Sequence, residues 1–420
     1  MVDVISASSP DYEDYRHVYT ARGNPALVFV PRSADEVASA LDSAVAGRRA
    51  VAVRSGGHGI SSISTNDGGV VIDLRRLDAV ERVSDGLVRI GPGARWSRVA
   101  KAMRPWGLAL TSGDSGDVGV GGLATTGGIG LMGRAHGLTI DRLKSVDIIT
   151  ADGGLRTIDA QQEPELFWAV RGAGANFGIV TSFLFEPSPT PDVVQASLFF
   201  DVTNPASFLR VWGRLVEEAP REISAFLYVT SGPLVQAQAT IVFAGDDESA
   251  ARDAMRGFVA LPGLVSETVA AIPYASVPIS TGDPHTGQQG ASAHSGLVDH
   301  IDETTGRALA AHLASDGVDL VMLRSVGGAI NDVAEDATAY AHRHQNFSVM
   351  SVSMTGGEPF DAAWDPVYRL MDGLYLSFET SHEPKHLRDA FPGATLDRLR
   401  SAKLRWDPDG IFDQNFSLVP

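Results

Sequence analysis

Residues 51–59 read VAVRSGGHG, and no other stretch restricts the fold as tightly. The β-prone run Val51-Ala52-Val53 feeds Arg54, Ser55, Gly56, Gly57, His58 and Gly59. Only glycine takes positive φ at little cost, and only glycine lets another molecule approach the backbone this closely. Successive N–H groups in such a turn point one way and form an anion-binding concavity. Arg54 adds a guanidinium fork, Ser55 a hydroxyl, and His58 an imidazole held between glycines. Taken alone, the stretch is either such a site or an ordinary glycine-rich turn with an exposed histidine.

The flanking sequence places the turn at the end of a strand. ALVFVP at 26–31 reads as a strand, and Ser33 with Glu36 forms a capping box opening a helix with Val37, Leu41, Ala44 and Val45 on its apolar face. With the strand at 50–54 this is a βαβ unit, which predicts a parallel pair and a right-handed crossover. Strands follow within 68–77 and 86–93, and a helix from about 95 to 104 stops at Pro105 and Gly107. From Gly113 to Gly130, eight of eighteen residues are glycine without a collagen-like period, so the chain must pass close to something flat or charged. A strand at 145–150, an aromatic helix holding Phe167 and Trp168, a second glycine turn and a further strand complete this half. GAGANFG at 172–178 spaces its glycines as GxGxxxG, Ala124 breaks the pattern in the earlier run, and neither is followed by an acidic ribose ligand. A Rossmann fingerprint is therefore weak.

The proline-rich segment PSPTPD (187–192) marks a boundary. Beyond it, strands at 193–202, 224–230, 236–243, 318–326 and 347–354 alternate with helices near 205–218, 248–260, 303–314 and 361–372. This pattern predicts an α+β domain with a long antiparallel sheet covered by helices on one face. Residues 278–298, with His285 and His294, read as a long polar loop. A helix at about 392–406 precedes the C-terminal stretch WDPDGIFDQNFSLVP.

Composition narrows the function. A length of 420 residues favours two domains, and 44% hydrophobic with 20% charged residues is ordinary for a globular protein. A formal charge of −17 argues against a nucleic-acid partner. There is no cysteine, hence no disulfide, thiolate metal site or cysteine nucleophile. The start lacks the basic and apolar regions of a signal peptide, and no apolar run is long enough to span a bilayer, so a cytoplasmic protein without a membrane partner is expected. His17, His300, His312, His382 and His386 are isolated, and no spacing points to a metal.

RSGGH, VGVGGLATTGGIG, ELFWAVRGAGANFGIVT, GLYLSF and DPDGIF, in this order, make the chain resemble a berberine-bridge-enzyme-like FAD-linked oxidase of the vanillyl-alcohol oxidase / p-cresol methylhydroxylase flavoprotein superfamily. The likeness is specific over 50–186 and at the C-terminus, and loose from 190 to 345. It implies an α+β protein: a two-subdomain PCMH-type FAD-binding domain at 1–189, a substrate-binding domain at 190–372, and a C-terminal segment at 373–420 that returns to the FAD-binding domain.

The resemblance also implies roles. His58 stands where the family attaches the 8α-methyl of FAD, and the backbone of Ser55 to Gly59, beside Arg54, would hold the pyrophosphate. Ser115 occupies the position of a second, cysteinyl link in many relatives, so the implied flavin is bound through His58 alone. Val118 falls at the position that gates oxygen, where valine goes with oxidase behaviour. Gly119, Gly121, Gly122, Thr125, Gly127, Gly128 and Gly130 belong to the glycine-rich cofactor motif, followed by His136, which replaces a common tyrosine, and Gly137. Gly174, Asn176, Gly178 and Val180 match the turn at the adenine end, and Asn415 the closing asparagine near the flavin. Leu123 stands where some members have a histidine, and Ser377 replaces the asparagine of the family's YxN. Tyr375 is accordingly either an activated phenol or an aromatic wall. Arg324 and the His342/His344 pair are further sources of charge, or merely structural.

The expected activity is removal of a hydride from a C–H bond next to an alcohol or amine, with return of the electrons to molecular oxygen and release of hydrogen peroxide. The alternatives are a flavin-loaded binding protein without turnover, because Leu123 and Ser377 depart from the family, and a dehydrogenase with an organic acceptor. Neither the small-molecule substrate nor the oligomeric state is specified by the sequence.

Overall fold

The computed structural model describes residues 2–282, 290–414 and 416–419. Its N-terminal part is a four-stranded sheet of β1 (Asp3–Ser6), β2 (Leu27–Val30), β3 (Val51–Arg54) and β4 (Val70–Asp73), in the order β1-β2-β4-β3. Strands β2 and β3 are both parallel to β4, which lies between them, so the expected crossover skips a strand. The connecting helix α1 (Ala34–Ala46) buries Val37, Ala40, Leu41 and Ala44. Ser33 caps it by accepting from the Glu36 N–H, while the Glu36 carboxylate accepts from Arg32 N–H at 2.9 Å rather than from the cap residue.

The second sheet, β5 (Val80–Ser84), β6 (Leu87–Ile90), β7 (Leu143–Ile149), β8 (Leu155–Asp159) and β9 (Ile179–Phe185), is antiparallel in the order β5-β6-β9-β7-β8. Between β6 and β9 lie helices α2 (Trp96–Met103), α3 (Val120–Thr126), α4 (Gly133–His136) and α5 (Pro164–Ala173). Seven of the eighteen residues of the glycine-rich run therefore form a short helix, α3, which the run's glycine content concealed.

The third sheet has seven strands: β10 (Asp192–Val202), β11 (Ile223–Thr230), β12 (Val235–Phe243), β13 (Leu264–Pro273), β14 (Ser292–Val298), β15 (Leu320–Ser325) and β16 (Phe347–Ser353). It is antiparallel, in the order β13-β10-β12-β11-β15-β16-β14. Helices α6 (Pro205–Glu218), α7 (Glu248–Val259), α8 (Glu303–Leu313) and α9 (Glu358–Tyr368) cover one face, where Trp212, Phe258, Leu309 and Phe360 meet Leu227, Leu323 and Val349. The opposite face, carrying Val193, Phe226 and Val242, packs on Ile129, Leu131, Met132, Leu138 and Ile140 of the N-terminal half. Arg343 locks this junction through a buried bidentate pair with Asp141, at 2.8 and 2.9 Å.

Residues 292–298 are a buried strand, not loop, and His285 lies outside the described residues. The run SAHSGLV hides its burial because its neighbours demand small side chains: a Cβ on Gly296 would lie 2.3 Å from Met371 Cγ. Strand β13 also escaped the sequence pattern, since this edge strand is largely exposed.

After β16 the chain pairs with the free edge of β14, with Asp372 N–H to Leu297 O at 2.7 Å and Thr380 N–H to Ala293 O at 3.0 Å. It then returns as α10 (Pro384–Ala390) and α11 (Ala394–Trp406). Leu387, Phe391, Leu396, Leu399 and Phe416 join the core formed by Val88, Ile90, Phe167, Phe183 and Phe185. From this pattern we propose domain limits at 1–189, 190–372 and 373–420. Among the described residues no helix is long and apolar enough to cross a membrane.

Lys403 of α11 ties the C-terminal turn to the 174–178 turn. Its buried ammonium donates to Asp407 Oδ2 at 2.7 Å, Phe412 O at 2.9 Å and Asn176 O at 2.8 Å. Lys403→Met leaves the fully buried Asp407 without its countercharge. Removing one partner of a buried pair costs about 3–5 kcal/mol, and the variant should lose stability on that scale in urea unfolding. A loss under about 1 kcal/mol would contradict this role.

Candidate active site

The strands deliver their ends to one cavity of about 310 Å³. Ser55, Gly56, Gly57, His58 and Gly59 line it after β3, and Val118, Gly119, Gly121, Gly122 and Thr125 line it around the start of α3. Gly174, Asn176, Gly178 and Val180 line it before and within β9, and Tyr375 closes it beside β14. The first two turns touch each other. A Cβ on Gly56 would lie 2.3 Å from Gly119 N, and one on Gly119 would lie 2.2 Å from Gly56 N. Ser55 cross-links them, its hydroxyl donating to Pro92 O at 2.5 Å and accepting from Gly121 N–H at 3.2 Å.

Other expected site residues lie elsewhere. Arg54 is not at the cavity: in register with Asp73 of β4, it is buried away from it and donates to Tyr15 O at 2.8 Å and Ser64 O at 3.1 Å. Ser115 bridges to Ile279 instead of lining the cavity. His136 turns to Thr190 Oγ1 at 3.2 Å, and neither it nor Gly137 lines the cavity; burial, then Arg142, pulls the His136 imidazole below its ordinary pKa. Gly127 and Gly128 lie behind Tyr375: a Cβ on Gly127 would lie 3.1 Å from its ring, and Gly128 N–H donates to its hydroxyl at 3.1 Å. Gly130 packs on the Ser112 backbone. Asn415 lies outside the described residues. His342 is buried on Ala390 O at 3.0 Å and pulled down to about 4, chiefly by burial, so it presents a neutral ring away from the cavity. His344 sits outside the cavity beside Asp372 at 2.7 Å, and its ring lies with Asp299 and Asp372 in a group whose ligand-type atoms are within 4.8 Å of one another. No spacing in the sequence brings those three together.

The cavity also has walls that the motifs did not reveal. Tyr340 stands edge-on to Tyr375, with ring centroids 5.9 Å apart, and Phe378 stands edge-on to Tyr375 at 5.0 Å. Arg324 of β15 and Asp114 line the roof, and the hydroxyls of Ser377 and Thr126 bond at 3.0 Å beneath Tyr375. Gln414 holds the floor by donating to Ile63 O at 2.9 Å and Thr65 O at 2.6 Å. His58 stacks on Tyr19 with centroids 4.6 Å apart. Four residues that line this one cavity each carry a buried polar atom with no partner among the described residues: Ser64 Oγ, Asn176 Oδ1, Arg324 Nη1 and Tyr340 Oη. Each such group costs about 1–3 kcal/mol unless something meets it, so their convergence marks a ligand site.

Tyr375 owes its place to β14. Its N–H donates to Ser295 Oγ at 3.3 Å, and Glu379, four residues on, accepts from the Ser295 N–H at 3.1 Å. His294 braces Glu379 from β14, with Nδ1 3.2 Å from Glu379 Oε1 and Nε2 2.8 Å from Asp361 Oδ1, while its ring stacks on Phe360. Burial pulls the imidazole down, but the Glu379 and Asp361 carboxylates outweigh it and raise it above its ordinary 6.5. The stabilisation is therefore complete below pH of about 6.5 and is lost as pH rises through the raised value. The heat-denaturation midpoint should fall as pH is raised above about 6.5, and His294→Gln should flatten that fall. Equal pH profiles for the two proteins would refute the brace.

The FAD binding domain family matches residues 25–159. FAD-linked oxidoreductase sorD of Penicillium rubens is 26% identical over 434 residues, covering 94% of this chain and 90% of that protein. This chain carries an FAD binding domain and is an FAD-linked oxidoreductase. (R)-6-hydroxynicotine oxidase of Paenarthrobacter nicotinovorans is 38% identical over 169 residues, covering 40% of this chain and 36% of its own. The structure of a glucooligosaccharide oxidase from Acremonium strictum, described with a cysteinyl and histidyl FAD, superposes with a TM-score of 0.86 at 21% identity. That match covers 99% of this chain and 97% of the neighbour. The likeness places the fold among the PCMH-type flavoproteins.

The cavity of this oxidoreductase fits FAD by the chemistry of its donors. Arg324 is the only lysine or arginine among the described lining residues, so a pyrophosphate there depends on backbone N–H groups of the two touching turns. Asn176 offers a buried acceptor oxygen to an amino group such as that of adenine.

Proposed function

We propose that the enzyme is an oxidase that takes a hydride from a C–H bond next to an alcohol or amine, and that its FAD is attached through His58. The observation that carries this reading is the meeting of the glycine turns and Tyr375 in one cavity with unpartnered buried donors and acceptors. When bound, FAD accepts a hydride and passes the electrons to molecular oxygen, giving hydrogen peroxide. The turns 55–59 and 118–122 would hold its pyrophosphate and ring, and 174–180 its adenine end. His58 is the only histidine among the described lining residues, and the chain has no cysteine, so a single covalent link is the one available. Tyr375, accepting from Gly128 N–H and lying 3.5 Å from Thr126 Oγ1, takes the substrate proton; the Thr126 and Ser377 hydroxyls replace the amide that relatives place there. Tyr340 and Phe378 orient the substrate and exclude water. Val118, compact at the cavity wall, leaves oxygen a path.

The sugar and hydroxynicotine oxidases among its relatives support both alcohols and amines as candidate substrates. Anaerobic mixing of the holoenzyme with a panel of each tests the reading. At least one member should bleach the flavin, and readmitted oxygen should restore its colour with one peroxide per flavin. A flavin that no member bleaches would refute the reading; a bleached flavin that readmitted oxygen does not restore, but an organic acceptor does, would make the enzyme a dehydrogenase.

A further inference from the structure

The roof of the cavity carries a charge pair that the flavin chemistry leaves unused. Arg324 alternates with Leu323, which faces the helix-covered core, so its side chain points to the cavity side of the seven-stranded sheet. It stands opposite Phe226 in register, and its guanidinium lies 4.3 Å from the ring centre of Phe378 and 5.4 Å from that of Phe226. Its side chain is 6% exposed, Nη2 is 3.6 Å from Asp114 Oδ2, and Nη1 has no partner among the described residues. Asp114 lines the same cavity, and its side chain is 31% exposed. Its Oδ2 also accepts the hydroxyl of Tyr228, two residues along β11 from Phe226 and itself largely desolvated. Burial holds the Tyr228 hydroxyl well above its ordinary pKa, and Asp114 adds to this, so Tyr228 is a fixed donor. For Asp114 burial acts upward, but Arg324 and Tyr228 outweigh it and keep the carboxylate charged.

The pair thus sums to no net charge, with one buried N–H still to be met and a carboxylate whose lone pairs exceed its bound donors. That combination complements a group that both accepts and donates, which is an uncharged hydroxyl. An ammonium brings only donors and faces the guanidinium; a carboxylate brings only acceptors and faces Asp114. Leaving Arg324 Nη1 unmet, or setting like charges together, costs enough to discriminate among the three.

We propose that Arg324 and Asp114, with Tyr228 as a positioning residue acting through Asp114, form a subsite that reads an uncharged hydroxyl on the substrate and makes this enzyme selective for alcohols over amines and acids. This rests on the reading of the cavity as the place of oxidation.

The test uses cumyl alcohol, cumylamine and benzoate, none of which has a hydrogen on the carbon bearing its polar group, so binding is measured without turnover. In calorimetric titrations of the wild-type holoenzyme, cumyl alcohol should bind at least about tenfold more tightly than either ion. Asp114→Asn should move the alcohol-to-benzoate ratio at least about tenfold toward benzoate, and Arg324→Met should move the alcohol-to-cumylamine ratio as far toward the amine. Arg324→Lys keeps the charge without the fork, so it should still reject cumylamine while binding the alcohol more weakly; it stands in if the methionine variant does not fold. A wild type that ranks either ion level with or above the alcohol, or binds none of the three, would overturn the proposal, as would variants that leave both ratios unchanged. A protein that ranks the probes as expected but whose flavin no alcohol bleaches would refute the oxidase reading alone.

Discussion

After precipitation in acid, the wild-type protein should stay yellow, and His58→Ala should give a colourless pellet with its FAD in the supernatant. The chain has no cysteine, and His58 is the only histidine among the described residues of the cavity, so one substitution should convert full attachment to none. The His58 side chain projects between Gly57, whose φ is +69°, and Gly59, and stacks flat on Tyr19. Fold and cavity should survive the change, because the 51–59 turn is held by backbone contact with Gly119 and by the Ser55 hydroxyl. Two controls separate attachment from binding. Native His58→Ala should retain flavin by non-covalent contacts, and His17→Ala, at an N-terminal bridge outside the cavity, should leave the wild-type pellet yellow. A colourless wild-type pellet would refute the linkage.

Tyr375→Phe should slow anaerobic bleaching of the flavin by a good substrate at least about tenfold, since proton removal by a positioned base is worth about 10²–10⁴-fold. The substitution keeps the ring, and with it the edge-on contacts to Tyr340 and Phe378, and deletes only the oxygen that meets Gly128 N–H. It therefore isolates proton transfer from packing. The yellow acid pellet should be unaffected, because the hydroxyl plays no part in attachment. Bleaching at the wild-type rate would make Tyr375 a wall, and Tyr340, whose buried hydroxyl has no partner among the described residues, would become the base to test.

What could be read from the sequence, and what could not, follows from backbone against side-chain information. The glycine turns announced themselves because close approach of backbones admits no other residue, as the contact of Gly56 with Gly119 demonstrates. The covered antiparallel sheet was legible from alternating apolar residues in β10, β11, β12, β15 and β16. A motif position, however, says nothing about where a side chain points. Arg54 belongs to the central motif yet faces Asp73, because the pairing of β3 with β4 decides its neighbour. Ser115 and His136 likewise satisfy partners that the motif does not name. Strand β14 was lost because Met371 forces glycine and small residues on it, and with β14 went the brace under Tyr375. Tyr340 carries no motif at all. Its only local signal is the glycine opposite it: Gly172, at φ +140°, where a Cβ would lie 2.3 Å from Tyr340 N.

The most direct measurement is the FAD content per chain of the native wild-type protein and of Gly122→Phe. Gly122 lies in α3 at the cavity wall, and a Cβ there would meet nothing within 4 Å, so a phenyl group would enter the cavity without disturbing the protein around it. Phenylalanine is also the better helix former by about 0.5 kcal/mol, so the fold should hold. The predicted result is one FAD per wild-type chain and almost none in the variant, with equal far-ultraviolet spectra. A wild type without flavin, or a variant that carries as much as the wild type, would contradict the assignment of this cavity to FAD.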